Sequence, residues 1–125
     1  MAFNAATAYK DNRILTASPE ELTLMLFDGA IKFCNIAIMA LEKNDLQAAN
    51  TNIIKAEKII VEFRSTLNFD YPVANDFDII YEYIYRRLIE ANVKKDKEIV
   101  EEALYFIREM RDTWKDAMKL AKGSK

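Results

Sequence analysis

The sequence predicts an all-α fold: an antiparallel, up-down four-helix bundle with a short N-terminal leader segment or helix. Three observations carry this expectation. Only two glycines and two prolines occur in 125 residues, too few for the tight turns of a sandwich or barrel. Apolar residues recur at alternating three- and four-residue spacings along four stretches, which is the period of a helix with one face buried. Each stretch is bounded by residues that cap or break helices. With 51% hydrophobic and 30% charged residues the chain has ample material for a core and is not of disordered composition. Its length fits a single domain, 1–125, divided into a mobile leader (1–17) and a bundle (18–122).

The leader carries Phe3, Tyr9, Ile14 and Leu15 among small and polar residues, without a sustained period. The first long helix is expected to start at Ser18-Pro19-Glu20-Glu21. Ser18 is a natural N-cap, Pro19 suits the first helical position, and Glu21 completes a capping box. It should run to about Glu42, with Lys43-Asn44 as the stop. The second follows Asp45, another N-cap, and runs to about Leu67 on the seam Leu46, Ala49, Ile53, Ala56, Ile60, Phe63, Leu67. After a turn over Asn68 to Pro72, the third runs from Val73 to Ala91 on Val73, Phe77, Ile80/Tyr81, Ile84, Leu88 and Ala91. The fourth starts at Asp96 and ends near Lys122, on Val100, Ala103, Ile107, Met110, Trp114, Ala117 and Ala121. Short connections make consecutive helices antiparallel neighbours.

Composition also excludes chemistry. With no histidine there is no Ser-His-Asp or Cys-His catalysis and no imidazole metal ligand. Two glycines cannot build a phosphate-cradling loop. One cysteine, Cys34, forms no internal disulfide and reads as a small buried hydrophobe. No catalytic residue, metal site or cofactor is expected. The N-terminus lacks a signal-peptide core, and the apolar runs look too short to span a bilayer. The protein is therefore expected to be cytoplasmic, without membrane insertion. A net charge of −2 gives no nucleic-acid footprint, and Tyr81, Tyr83 and Tyr85, two apart on a helix, form no single stacking platform. Glu57, Glu62, Glu98, Glu101 and Glu102 read as a solvated face.

The first helix carries more apolar surface than one seam needs. Leu22, Met25, Leu26, Gly29, Phe33, Ile36, Ala37 and Ala40 form one face; Leu24, Phe27, Ile31, Cys34, Ile38 and Leu41 form a second arc beside it. Together they cover roughly two thirds of the circumference, against a little over 100° for an ordinary surface helix. Three readings fit the width. A bundle helix touches two neighbours; the leader can act as a lid; or the second arc is an open groove for another chain's amphipathic helix. Ile54 and Val61 on the second helix, and Ile79, Tyr83, Tyr85 and Ile89 on the third, also lie off their seams.

The stretch Tyr9 to Phe33, YKDNRILTASPEELTLMLFDGAIKF, resembles the flagellin export chaperone family, FliS. It shows the family's leader tyrosine (Tyr9), its Thr-Ala-Ser-Pro-Glu-Glu-Leu block (Thr16 to Leu22) and a Met-Leu-Phe-Asp-Gly-Ala block (Met25 to Ala30). DIIYEYIYRRLIEAN and Trp114 are similar to later family features in order and spacing. The resemblance implies a non-enzymatic helical bundle in the bacterial cytoplasm that binds the disordered C-terminal segment of flagellin. It also implies prevention of premature polymerisation and delivery, as a chaperone–client complex, to the flagellar type III export gate. Carried over by position, the client-binding residues are expected to be Tyr9, Ile14 and Leu15 in the leader. They continue as Leu24, Phe27, Ile31 and Ile38 on the first helix, and Ile54, Val61 and Tyr83 beyond it. The chaperone should be a monomer when client-bound. The rival reading is a structural bundle that homodimerises through the same apolar arc.

Overall fold

The computed structural model describes residues 18–123, which form four helices: α1 (Pro19–Glu42), α2 (Leu46–Ser65), α3 (Val73–Lys94) and α4 (Lys97–Gly123). The leader, with Tyr9, Ile14 and Leu15, lies outside the described residues.

Local chemistry sets the helix ends. At the start of α1, Glu21 N–H donates to Ser18 Oγ at 3.2 Å, and Ser18 N–H donates back to Glu21 Oε1 at 3.4 Å. This is the expected capping box, with Pro19 at the first helical position. Asp45 caps α2 by accepting from Ala48 N–H at 3.1 Å. α1 stops where Asn44 turns to φ 59°, Asn44 N–H reaches Leu41 O, and Asp45 N–H reaches Ala40 O at 2.7 Å. That pair of bonds is a Schellman motif, and asparagine is among the few non-glycine residues that enter the left-handed region readily. α3 continues past Ala91 to Lys94 and ends on Lys95, at φ 52°, with Lys95 N–H and Asp96 N–H both on Ala91 O. The Lys95 ammonium secures this turn by donating to Asn92 O and Asn92 Oδ1, both at 2.7 Å.

The helices pack as a closed ring. α1 contacts α2 and α4, α3 contacts α2 and α4, and the other two pairs are the diagonals. Cross-helix bonds fix the antiparallel senses. Arg64–Asp78 and Asn50–Asn92 join opposite ends of α2 and α3. Lys97–Glu42 joins the start of α4 to the end of α1, while Trp114 Nε1–H donates to Glu20 O at the far end. The core is graded along the bundle axis. Phe27, Phe63, Tyr81 and Phe77 run as a ring-to-ring chain across α1, α2 and α3, with centroids 4.3, 5.5 and 6.4 Å apart. Toward the other end the buried positions include Ala37, Ala40, Ala49 and Ala91, which let the helices approach closely.

Two expectations need correction. Pro19–Glu42 is long and apolar enough to cross a bilayer by length and composition, so the apolar runs are not too short. Six of its residues instead fill the bundle interior. The expected seam of α1 is also rotated. Phe27 (2% exposed), Ala30, Ile31 (9%), Cys34, Ala37 and Ala40 are the buried positions; of the expected face only Ala37 and Ala40 are among them, whereas Leu22 is exposed and Met25, Leu26, Gly29, Phe33 and Ile36 are half-buried. The reason is the ring. The half-buried arc turns toward α2, where Lys55 Nζ sits 5.4 Å from the Phe33 ring centroid. The other side turns toward α4, where Arg111 reaches Asp28 at 3.6 Å. The arc between them faces the centre.

Candidate functional site

The ten residues expected to bind a client do not form one surface. Tyr9, Ile14 and Leu15 are outside the described residues. Phe27 and Ile31 were expected to line an open arc on α1; they are core residues, because α1 is flanked on both sides and its second arc points inward. Leu24 is half-buried, and Ile38 packs against the core from its edge. Ile54, Val61 and Tyr83 lie elsewhere, on the outside of the bundle beside α3.

Two outward strips flank α3. The first runs along the α2/α3 seam. The Arg64–Asp78 and Asn50–Asn92 contacts set the register. In that register Ile54 comes level with the Leu88–Ile89 step, Glu57 with Tyr85, and Val61 with the Tyr81–Glu82 step. Val61 is 47% and Ile89 38% exposed, while Ile54 and Tyr85 are half-buried. Ile54 and Val61 share a face because they are seven residues apart, as do Tyr85 and Ile89 at four. The second strip follows the α3/α4 seam. The Tyr83 ring meets Phe106 edge-on at 5.6 Å, and Phe106 meets Tyr105 at 5.3 Å. One turn before Tyr83, Ile79 is 66% exposed, and Tyr105 is 58% exposed.

Tyr83 is held by polar contacts as well as by its ring. Its hydroxyl donates to Glu102 Oε2 at 2.7 Å, and Arg87 Nε donates to Glu102 Oε1 at 2.6 Å. Arg87 also reaches Glu90, which pairs with Lys94. The Tyr83 hydroxyl bond, followed by the Arg87 bond, pushes the Glu102 carboxyl below its usual range, while that same bond to Glu102 pushes the Tyr83 phenol up. This network fixes which edge of Tyr83 is offered outward.

Tyr105 and Phe106 were missed in the sequence because both fall off the α4 stripe. The available signal was two adjacent aromatics on a helix whose seam was already complete. Two of the five carboxylates expected on a solvated face are not there: Glu57 is half-buried on α2 between Ile54 and Val61, and Glu102 is half-buried against Tyr83 and Arg87. Glu62, Glu98 and Glu101 are exposed, as expected.

Nothing in this arrangement activates a nucleophile. Cys34 is fully buried, and desolvation pushes its thiol from 9.0 to about 12, slightly offset by Arg108. The thiolate is the reactive species. The native protein should therefore resist a thiol reagent at neutral pH and react stoichiometrically in denaturant. The thiol stays protonated in the native state and ionises on unfolding, so its stabilisation is complete below pH 9.0 and lost as pH rises through about 12. Tyr81, pushed by burial from 10.0 to about 12, acts in the same sense. Equilibrium denaturation should show stability falling across that alkaline window.

The model of the family "Flagellar protein FliS" matches residues 2–121. The chain belongs to the FliS family. Among curated relatives, the flagellar secretion chaperone FliS of Bacillus subtilis (strain 168) is 41% identical over 116 residues, covering 93% of this chain and 87% of the relative. The FliS of Salmonella typhimurium (strain LT2) is 31% identical, covering 84% and 80%. That of Escherichia coli (strain K12) is 29% identical, covering 86% and 82%. A solved structure described as a flagellar chaperone from bacteria superposes with a TM-score of 0.74 at 20% identity, covering 92% of this chain and 95% of the other. That likeness shows the fold. FliS relatives are named as secretion chaperones, not enzymes, and such a chaperone works on a client protein.

Proposed function

We propose that this chain is a cytoplasmic export chaperone. It holds the disordered C-terminal segment of flagellin against the apolar strips beside α3, prevents premature polymerisation and passes the client to the flagellar type III export gate. The carrying observation is that Val61, Ile79, Ile89 and Tyr105 stay in solvent on a bundle whose interior is already filled. Full burial of a large apolar side chain is worth about 1.5–3 kcal/mol. Because these four are already partly covered, a client gains about half of that at each, or about 3–6 kcal/mol in total. Ordering a disordered segment costs about 2–5 kcal/mol. The exposed four therefore do not suffice alone. The half-buried Ile54, Tyr83, Tyr85 and Phe106 supply further contact, as do Leu24 and Ile38 at the margins of α1 and Tyr9, Ile14 and Leu15 in the leader. Phe27 and Ile31 support the surface from beneath.

An amphipathic helix laid along either seam has the right periodicity, since i, i+3, i+4 and i+7 anchors match the spacing of the strip residues. Mixing the protein with the C-terminal region of flagellin should give a complex of one chaperone per client by light scattering. Its circular dichroism should show more helix than the sum of the parts. An unchanged elution profile and spectrum at micromolar concentrations would overturn the reading.

A further inference from the structure

The α2/α3 strip contains a carboxylate without a partner among the described residues. Glu57 is half-buried, three residues after Ile54 and four before Val61, and level with Tyr85 on α3. Most other carboxylates along the helix seams, this one included, have cations: Asp78 has Arg64, Glu82 has Arg86, Glu90 and Glu102 share Arg87, Glu42 has Lys97 and Asp28 has Arg111. Among the described residues, Glu57 has no hydrogen-bond or ion-pair partner. Its own helix cannot supply one. The positions three and four residues away are Ile53, Ile54, Ile60 and Val61. Two turns on, Arg64 is committed to Asp78 at 2.8 Å, and across the seam Arg86 is committed to Glu82 at 2.6 Å. Desolvation alone raises the Glu57 carboxyl above 4.5, with no opposing cation. A half-buried carboxylate among aliphatic side chains is costly unless a cation or strong donor pairs with it.

We propose that Glu57 is a specificity-determining residue: the α2/α3 strip receives an amphipathic helix of the client that presents a lysine or arginine to Glu57 and aliphatic side chains to Ile54, Val61 and Ile89. The proposal rests on the chaperone reading above and names the chemistry its client must carry at this seam. The aliphatic residues select for any apolar helix face. Glu57 adds register, because a cation displaced by one residue along the bound helix rotates about 100° away from the seam. It also acts against clients that bring an acidic residue to this point, where two carboxylates would be buried together.

Titration calorimetry with the C-terminal region of flagellin tests it, using the full chain and three variants. Glu57→Gln keeps the shape and removes the charge. It should weaken binding about tenfold, flatten the salt dependence, and leave the thermal midpoint unchanged or raised. Glu57→Lys should bind more weakly still, and replacing one lysine or arginine of the client with glutamate should recover affinity for Glu57→Lys alone. Val61→Asp controls for the groove. If Glu57→Gln binds as tightly as the parent while Val61→Asp does not bind, the carboxylate proposal fails and the groove stands. If all three variants bind like the parent, the strip is not the site and the proposal fails. If the parent does not bind, the chaperone reading fails and takes the proposal with it.

Discussion

Ile31→Asp should unfold the bundle. Ile31 is only 9% exposed and belongs to the same core cluster as Phe27, Cys34 and Ile107. Aspartate at this position removes an apolar side chain worth about 1.5–3 kcal/mol. It also places a carboxylate where the surroundings are hydrocarbon. Such changes cost about 4–5 kcal/mol or more, a large part of the 5–15 kcal/mol that holds a typical domain together. Chemical denaturation should show the midpoint collapsing, and client binding should disappear because the fold has gone. Were Ile31 part of an open groove, as its place on the second arc of α1 first implies, the same variant would melt normally and lose only binding. The two outcomes are separated by the melting curve alone.

The paired variant Val61→Asp/Ile89→Asp should behave in the opposite way. Both side chains are well exposed, at 47% and 38%, on neighbouring helices of one seam. Their replacement leaves the core untouched, so stability should change by no more than about 1 kcal/mol. Binding should suffer much more. Each apolar contact is lost and a carboxylate is desolvated beneath the client, beside the acidic Glu57. A loss of about 100-fold is expected: the two partly covered contacts are worth about 1.5–3 kcal/mol, and desolvating the two new carboxylates adds to that. Calorimetry together with a thermal melt checks both halves of the statement. A variant that melts normally and binds normally would remove the α2/α3 strip from the site.

The contrast between these variants marks what could be read without coordinates. Helix ends were legible where one side chain decides them. Ser18 with Glu21, and Asp45, cap their helices as their chemistry requires. The α2 seam was legible as well: Ala49, Ile53, Ala56, Ile60 and Phe63 are all buried. Leu46 and Val73 are exposed although they continue their stripes, because each begins its helix, where the neighbour no longer covers it. In α4 the stripe holds from Val100 to Met110 and loosens beyond it. Ala117 is exposed because the register of Tyr83 against Phe106 carries the end of α4 past the start of α3, and Trp114, just before that point, is half-buried.

The orientation of α1 was not legible. Two apolar arcs lay side by side, and periodicity measures the width of a stripe, not which part of it faces the centre. Only the ring of helices decides this, by placing α2 against one flank and α4 against the other. The outer strips were half legible for a related reason. Ile54, Val61, Ile79, Tyr83 and Ile89 stood out as off-seam residues, but no single-helix pattern says which join across which seam. That information lies in long-range contacts such as Arg64–Asp78 and Tyr83–Phe106, whose partners are 14 and 23 residues apart. Glu57 was invisible for the same reason, since its lack of a cation is a property of two helices together.

Methyl NMR on isoleucine- and valine-labelled protein tests the central claim most directly, because this chain carries reporters on both sides of its α2 and α3 helices. On titration with the C-terminal region of flagellin, the methyl resonances of Ile54, Val61, Ile79 and Ile89 should shift strongly. Those of Ile53, Ile60, Ile84 and Ile107, fully buried in the interior, should scarcely move. Strong shifts at the interior methyls, with the outer four unmoved, would show that the client enters the core and would contradict the account.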